Sequence, residues 1–224
     1  MKKMKVVILT LCAGLIMAGC NNLSKGAAIG AGGGAVLGAI VGKIAGNTAV
    51  GAAIGTAVGA GTGALIGKHM DKVKAEAEAV KNAQVESVTD ANGLQAVKLT
   101  FDSGILFATN KATLNADSKA ALNQCATLLK NNSDCDIAIY GHTDSTGSDA
   151  IINPLSVNSA KAVQSYLLGQ GVSSTQIRTV DGQGSTNPVA DNSTAAGRQQ
   201  NRRVEIYMYA SQAMIQAAEA GTLQ

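Results

Sequence analysis

Hydrophobic patterning changes character three times along the chain. Residues 1 to 20, MKKMKVVILTLCAGLIMAGC, hold a basic start, an apolar run from Val6 to Leu15 and a small-residue end. That run is too short to count as a membrane span and reads as an export signal. From Gly26 to Gly67 the chain is apolar and small, with glycine at 26, 30, 34, 38, 42 and 46 and again at 51, 55, 59, 63 and 67. From His69 to Val85, HMDKVKAEAEAVKNAQV is charged and alanine-rich, which predicts a short solvated helix, a spacer. Beyond it the pattern is that of a globular domain. VESVTD and LQAVKLTF flank Ala91-Asn92-Gly93, a hairpin signal. Asn115 caps a helix that carries Asp117 in its first turn and the apolar spacing of ALNQCATLLK. A strand, CDIAIYG, follows, then a helix with Asn153 as cap and Pro154 at its first position, stopping at Gly169 to Gly171. Ile177 to Asp181 is a strand, Thr194 to Gln200 a helical turn, Val204 to Tyr209 a last strand, and SQAMIQAAEAGTLQ a short helix or a frayed end. The order β-α-β-α-β-β predicts a two-layer α/β (α+β) sandwich with helices on one sheet face. The expected divisions are a signal at 1–19, a lipidated cysteine and zipper hairpin at 20–68, a spacer at 69–84, the folded domain at 85–210 and a tail at 211–224.

The glycines decide how the second zone is read. A glycine inside a helix costs about 1 kcal/mol relative to alanine, so a helix carries many only where backbones must approach closely. In lipid, small residues at four-residue spacing let helices touch. Residues 26–42 and 51–67 are each 17 long without a charge, with Lys25, Lys43 and Lys68 near the ends. A helical hairpin in or on a membrane, self-associating into a homo-oligomer, follows. A tether or a packed soluble hairpin is the alternative. Charge then narrows the partners. Of 18 Lys and Arg, three (Lys2, Lys3, Lys5) lie in the signal, leaving 15 against 15 acidic residues. That balance has no footprint for a nucleic-acid backbone.

Met17-Ala18-Gly19-Cys20 resembles the bacterial lipoprotein signal, in which the cysteine is acylated and becomes the first residue. Each buried lipid methylene contributes about 0.8 kcal/mol, so acylation of Cys20 would tether the chain to a bilayer. With Asn21 rather than aspartate after the cysteine, the resemblance implies the outer membrane. Cys12 leaves with the signal. Cys125 shares a helical face with Leu122 and Leu129, and Cys135 a strand face with Ile137 and Ile139. Both therefore point into one core, either as a disulfide, which export permits, or as two buried thiols.

Ile139-Tyr140-Gly141-His142-Thr143-Asp144-Ser145-Thr146-Gly147, Asn153, Leu155-Ser156, Gly171-Val172, Gly182-Gln183-Gly184, Asn187-Pro188-Val189-Ala190-Asp191-Asn192, Gly197-Arg198 and Asn201-Arg202-Arg203-Val204-Glu205-Ile206 closely resemble the OmpA-like peptidoglycan-binding domain over roughly residues 95 to 210. With the lipid signal and zipper, the chain resembles an OmpA-family outer-membrane lipoprotein whose domain faces the periplasm. The resemblance implies non-covalent binding of the diaminopimelate in peptidoglycan stem peptides. Asp144 would meet the ligand's ammonium, Thr143 shape the loop, Leu155 make apolar contact beside Asn153, and Asn201, Arg202 and Arg203 line and brace the site. Planar guanidinium forks suit carboxylates. One of the two arginines is expected to be structural, because adjacent strand residues face opposite ways. Two departures stand out. Where the family places an arginine on the carboxylate, this chain has Ser159, a loss of about 1.5 to 3 kcal/mol or roughly ten- to a hundred-fold in affinity. Ala108 stands where relatives often carry Asp. No cofactor or metal is expected, His142 being read as a loop hydrogen-bonder. No nucleophile, base and orienter set suggests an enzyme. The rival to a wall anchor is a zipper-driven oligomer or pore whose periplasmic domain binds the wall weakly or not at all.

Overall fold

The computed structural model describes residues 60–90, 93–107 and 114–223. The signal and Cys20, the first zipper series, the second as far as Gly59, the Ala91-Asn92 tip and Ala108 lie outside the described residues. The elements are α1 (Ala60–Ala77), β1 (Ala83–Thr89), β2 (Gln95–Asp102), α2 (Ser103–Leu106), α3 (Ala116–Asn131), β3 (Cys135–His142), α4 (Asp149–Gly169), β4 (Ile177–Gly182), α5 (Ala195–Asn201), β5 (Arg203–Ala210) and α6 (Gln212–Glu219). The five strands form one sheet in the order β1-β2-β5-β3-β4, antiparallel except for the β3–β4 pair.

Strand alternation builds two different faces. On β5, Val204, Ile206, Met208 and Ala210 join Val97, Leu99 and Phe101 of β2 and Ile137 and Ile139 of β3 in the main core. The helices bring Leu122, Cys125 and Leu129 of α3, Val163 and Leu167 of α4 and Met214 and Ile215 of α6 to the same core. The alternate positions, Tyr207 and Tyr209 with Tyr140, Ala138 and Ala96, form a second cluster in which Tyr140 and Tyr207 meet edge-on at 5.8 Å. This is the α/β sandwich that the sequence predicts. Its connectivity is richer than β-α-β-α-β-β, because the first unit is the β1–β2 hairpin and a full helix, α5, precedes β5. The hairpin closes at Gly93, whose amide donates to Asp90 O at 3.1 Å and whose φ of 76° is the left-handed conformation glycine adopts freely.

Two expectations need correcting, and two open alternatives are decided. The charged segment from His69 is not a solvated spacer: α1 starts at Ala60, inside the expected zipper hairpin, and buries Ile66, Met70, Val73 and Ala77 completely. It packs on β2 and α6, and Gln95 Nε2 donates to Asp71 Oδ1 at 2.6 Å. Its apolar residues recur at four- and three-residue steps, the helical stripe that the surrounding alanines and charges obscure. No helix among the described residues is long and apolar enough to cross a membrane. Second, α4 begins at Asp149 with Ser148 as cap, so neither Asn153 nor Pro154 marks its start. Ile151 N and Ile152 N both donate to Ser148 O, and Pro154, in the second turn, removes one bond whose partner residue, Ala150, is exposed. Third, the C-terminal segment is the helix α6, with the Ser211 side chain accepting from Met214 N. Fourth, Cys125 and Cys135 are free thiols, both fully buried, and fill the core as small apolar groups. Burial drives both up, Cys125 to about 12.

Glycine also sets how closely α4 lies on the sheet. A Cβ at Gly141 would overlap the carbonyl oxygen of Ser156, and one at Gly182 would strike Ser156 Oγ and Val157 N. The first turns of α4 therefore rest directly on the ends of β3 and β4.

Candidate functional site

At that end of the sheet four segments converge: the loop after β3, the loop after β4, the start of α4 and the α5–β5 junction. Backbone bonds join them, with Gln183 N donating to Gly141 O at 2.8 Å and Thr143 N to Gly184 O at 2.9 Å. Gly184 N donates to Ser156 Oγ at 3.1 Å, which ties the β4 loop to α4. Asn201 is wholly buried and holds the same loop from the other side. Its Oδ1 accepts from Val189 N at 2.8 Å and Ala190 N at 3.0 Å, while its Nδ2 donates to Ala190 O and to Asn192 Oδ1, both at 2.9 Å. Asn192 Oδ1 also accepts from Ser145 N at 3.2 Å, so one amide pair spans all three loops.

Asp144 and Arg202 meet within this frame. Arg202 Nη1 lies 2.5 Å from Asp144 Oδ2, the guanidinium side chain 45% exposed and the carboxylate 9%. Thr146 N donates to the other carboxylate oxygen at 2.8 Å. Partial burial alone would raise the Asp144 pKa, but the Thr146 amide and the Arg202 guanidinium outweigh it and hold the carboxyl below its ordinary 3.8. The site thus presents an ionised carboxylate at its floor and a half-exposed planar cation at its rim. Thr143 lies buried beside Asp144, its Oγ1 without a hydrogen-bond partner among the described residues.

Arg203 turns the opposite way. Its Nε donates to Glu205 Oε1 at 2.7 Å, its Nη1 to Asn201 O at 3.2 Å and its Nη2 to Asn187 O at 3.0 Å. Tyr207 Oη donates to the second oxygen of Glu205 at 2.6 Å, and His142 Nε2 lies 3.3 Å from it. All four side chains are buried, forming a charged brace beneath the loops. Burial, with Glu205 opposing, lowers the His142 pKa. Glu205 is pushed up by burial but held well below the carboxylate range by His142, Arg203 and Tyr207.

Of the residues singled out in the sequence, Asp144 and Arg202 are joined directly, Thr143 and Asn201 shape the loops around them, and Arg203 is the structural member of the arginine pair. Asn153 is exposed on α4, where its Oδ1 borders Gly184, and Leu155 is half-buried one residue before the Ser156 contact. Ser159 is buried and turned onto its own helix, donating to Leu155 O at 2.9 Å. It offers no charge for a ligand carboxylate, and the cation at Asp144 is Arg202. Asn192, Thr146 and Glu205 were assigned no role from sequence. Glu205 was accessible there, because residues two apart on a strand share a face with Arg203. Asn192 and Thr146 act through long-range and backbone contacts that leave no periodic signal.

Residues 106–202 match the model of the OmpA family. This segment is therefore similar to the OmpA family. Residues 1–71 match the YMGG-like Gly-zipper model, so the zipper match reaches into α1. The chain is 46% identical over 102 residues to peptidoglycan-binding protein ArfA of Mycobacterium tuberculosis, covering 46% of this chain and 31% of that one. It is 36% identical over 141 residues to the probable lipoprotein YiaD of Escherichia coli, covering 63% of each. The chain thus spans less than two thirds of either relative. The solved cell wall anchor of the T6SS from Pseudomonas aeruginosa superposes with a TM-score of 0.53 at 24% identity, over 63% of this chain and 97% of that one, and shares the fold. The matched residues 106–202 include Asp144, Arg202 and the loops that hold them, while α1 overlaps the end of the zipper match.

Proposed function

We propose that the OmpA-like domain binds peptidoglycan non-covalently at the loop end of its sheet. The Asp144–Arg202 pair carries the reading: an ionised carboxylate and an accessible guanidinium, side by side, match the ammonium and carboxylate of a dipolar amino acid such as diaminopimelate. The buried Thr143 hydroxyl, without a partner among the described residues, supports it, since a polar atom left so costs about 1 to 3 kcal/mol until a ligand or water meets it. Exposed Val189, on the loop held by Asn201, and half-buried Leu155 offer apolar contact. With Ser159 in place of the family's arginine, Arg202 must serve both Asp144 and the ligand carboxylate, which predicts weak binding. The similarity to ArfA, named for peptidoglycan binding, supports the same ligand class.

In this reading the first 19 residues are a lipoprotein signal, acylated Cys20 anchors the chain to the outer membrane, and the zipper segment lies in that membrane and self-associates. The domain then couples membrane to wall from the periplasmic side. Sedimentation of the full chain in detergent with diaminopimelate-type peptidoglycan tests this. Wild type is expected to pellet with the wall, and Ser159→Arg to pellet about ten-fold more tightly. No pelleting of either protein overturns the reading.

A further inference from the structure

The corrected course of α1 brings together three groups that the wall-binding site does not use. His69 lies on α1 next to Met70, while Asp134 and Cys135 form the entry to β3. His69 Nε2 is 3.2 Å from Asp134 Oδ2, and the ligating atoms of His69, Asp134 and Cys135 all lie within 4.8 Å of one another. The cysteine is fully buried, the His69 side chain is 12% exposed and the Asp134 side chain 39%, so the cluster opens to solvent on one edge. Next to it Asn132 Nδ2 donates to Glu76 Oε2 at 2.9 Å, a second polar tie between α1 and the same turn.

We infer that His69, Asp134 and Cys135 form a zinc site that clamps α1 to the start of β3. An imidazole, a carboxylate and a thiolate are the three donor types zinc takes, and tetrahedral zinc holds its donors about 3.3 to 3.8 Å apart. The His69–Asp134 separation already has that scale, and the sulfur closes the remaining gap, about 1 Å, by a small side-chain movement. Water fills the fourth position at the open edge beside Asp134. Sulfur selects zinc or another soft ion over calcium and magnesium. On binding, the Cys135 thiol gives its proton to solvent and coordinates as thiolate. The metal would tie the helix that continues the zipper segment to the wall-binding domain, stiffening the link between the two ends of the molecule.

Cobalt(II), which takes zinc's tetrahedral geometry and absorbs through thiolate-to-metal charge transfer, is the direct probe. Titrated into the reduced full chain in detergent, it should give a band that saturates at one equivalent, is displaced by zinc and ignores calcium. Cys135→Ser should abolish that band and Cys125→Ala leave it intact. His69→Gln, at a partly exposed position the fold tolerates, should weaken cobalt binding at least ten-fold, the least that loss of even an outer partner of a metal costs. A wild-type titration without a saturating band, or one unchanged by either Cys135→Ser or His69→Gln, overturns the site.

Discussion

At the scale of single residues, two adjacent arginines divide the work of the site because they straddle an element boundary, Arg202 capping α5 and Arg203 opening β5. Arg202 reaches outward to Asp144, and Arg203 reaches inward to Glu205. Their losses should therefore separate cleanly. Arg202→Ala removes a half-exposed partner, so the unfolding free energy from urea melts should fall by no more than about 1 kcal/mol, while wall binding falls roughly ten- to a hundred-fold. Arg203→Ala strands a buried carboxylate and should cost about 3 to 5 kcal/mol of stability. Paired urea melts and sedimentation assays distinguish the two; equal effects on both readouts would mean that Arg203, too, faces the ligand. The alternation needed to expect this split is visible in Asn201-Arg202-Arg203-Val204. Which arginine faces out depends on register: β5 pairs Arg203 with Asp102 on one side and His142 on the other.

Among elements, α1 changes most between the two readings. As a spacer it would tolerate almost any substitution; as a packed helix it makes Met70 part of the core. Met70→Ala should destabilise the full chain by about 2 to 5 kcal/mol, the usual cost of emptying a buried methionine site. A thermal or urea melt unchanged by that substitution would return α1 to the solvent. The start of α4 is a second case. Asn-Pro is a common helix opening, yet Ser148 and Asp149 begin the helix more than a turn earlier, and that extra turn buries Ile152. Local signals pointed to Asn153-Pro154 alone, and burial of Ile152 favours the earlier start.

For the molecule as a whole, the buried brace beneath the loops links stability to acidity. His142 sits below its ordinary 6.5 and Glu205 below its ordinary 4.5, so both bind protons more readily in the unfolded chain. Stability should then rise with pH. Acidifying below about pH 6.5 removes the contribution of neutral His142 first, and below about pH 4.5 that of ionised Glu205 follows. Urea midpoints measured from about pH 7.5 down to about pH 4 should fall steadily; a midpoint that climbs as pH drops through 6.5 would mean that His142 is held charged. The sequence by itself determined the two-layer sandwich, the β1–β2 hairpin, the helix cap at Asn115, the core-facing cysteines and the candidacy of Asp144, because each is written in local periodicity, turn chemistry or a contiguous motif. Tertiary structure alone decided that α1 belongs to the core, that Arg202 rather than Arg203 reaches Asp144, that Asn192 and Asn201 fasten the loops, and that His69 lies beside Cys135. Those outcomes rest on contacts between residues tens of positions apart, and a one-dimensional pattern carries no record of which distant surfaces a folded chain presses together.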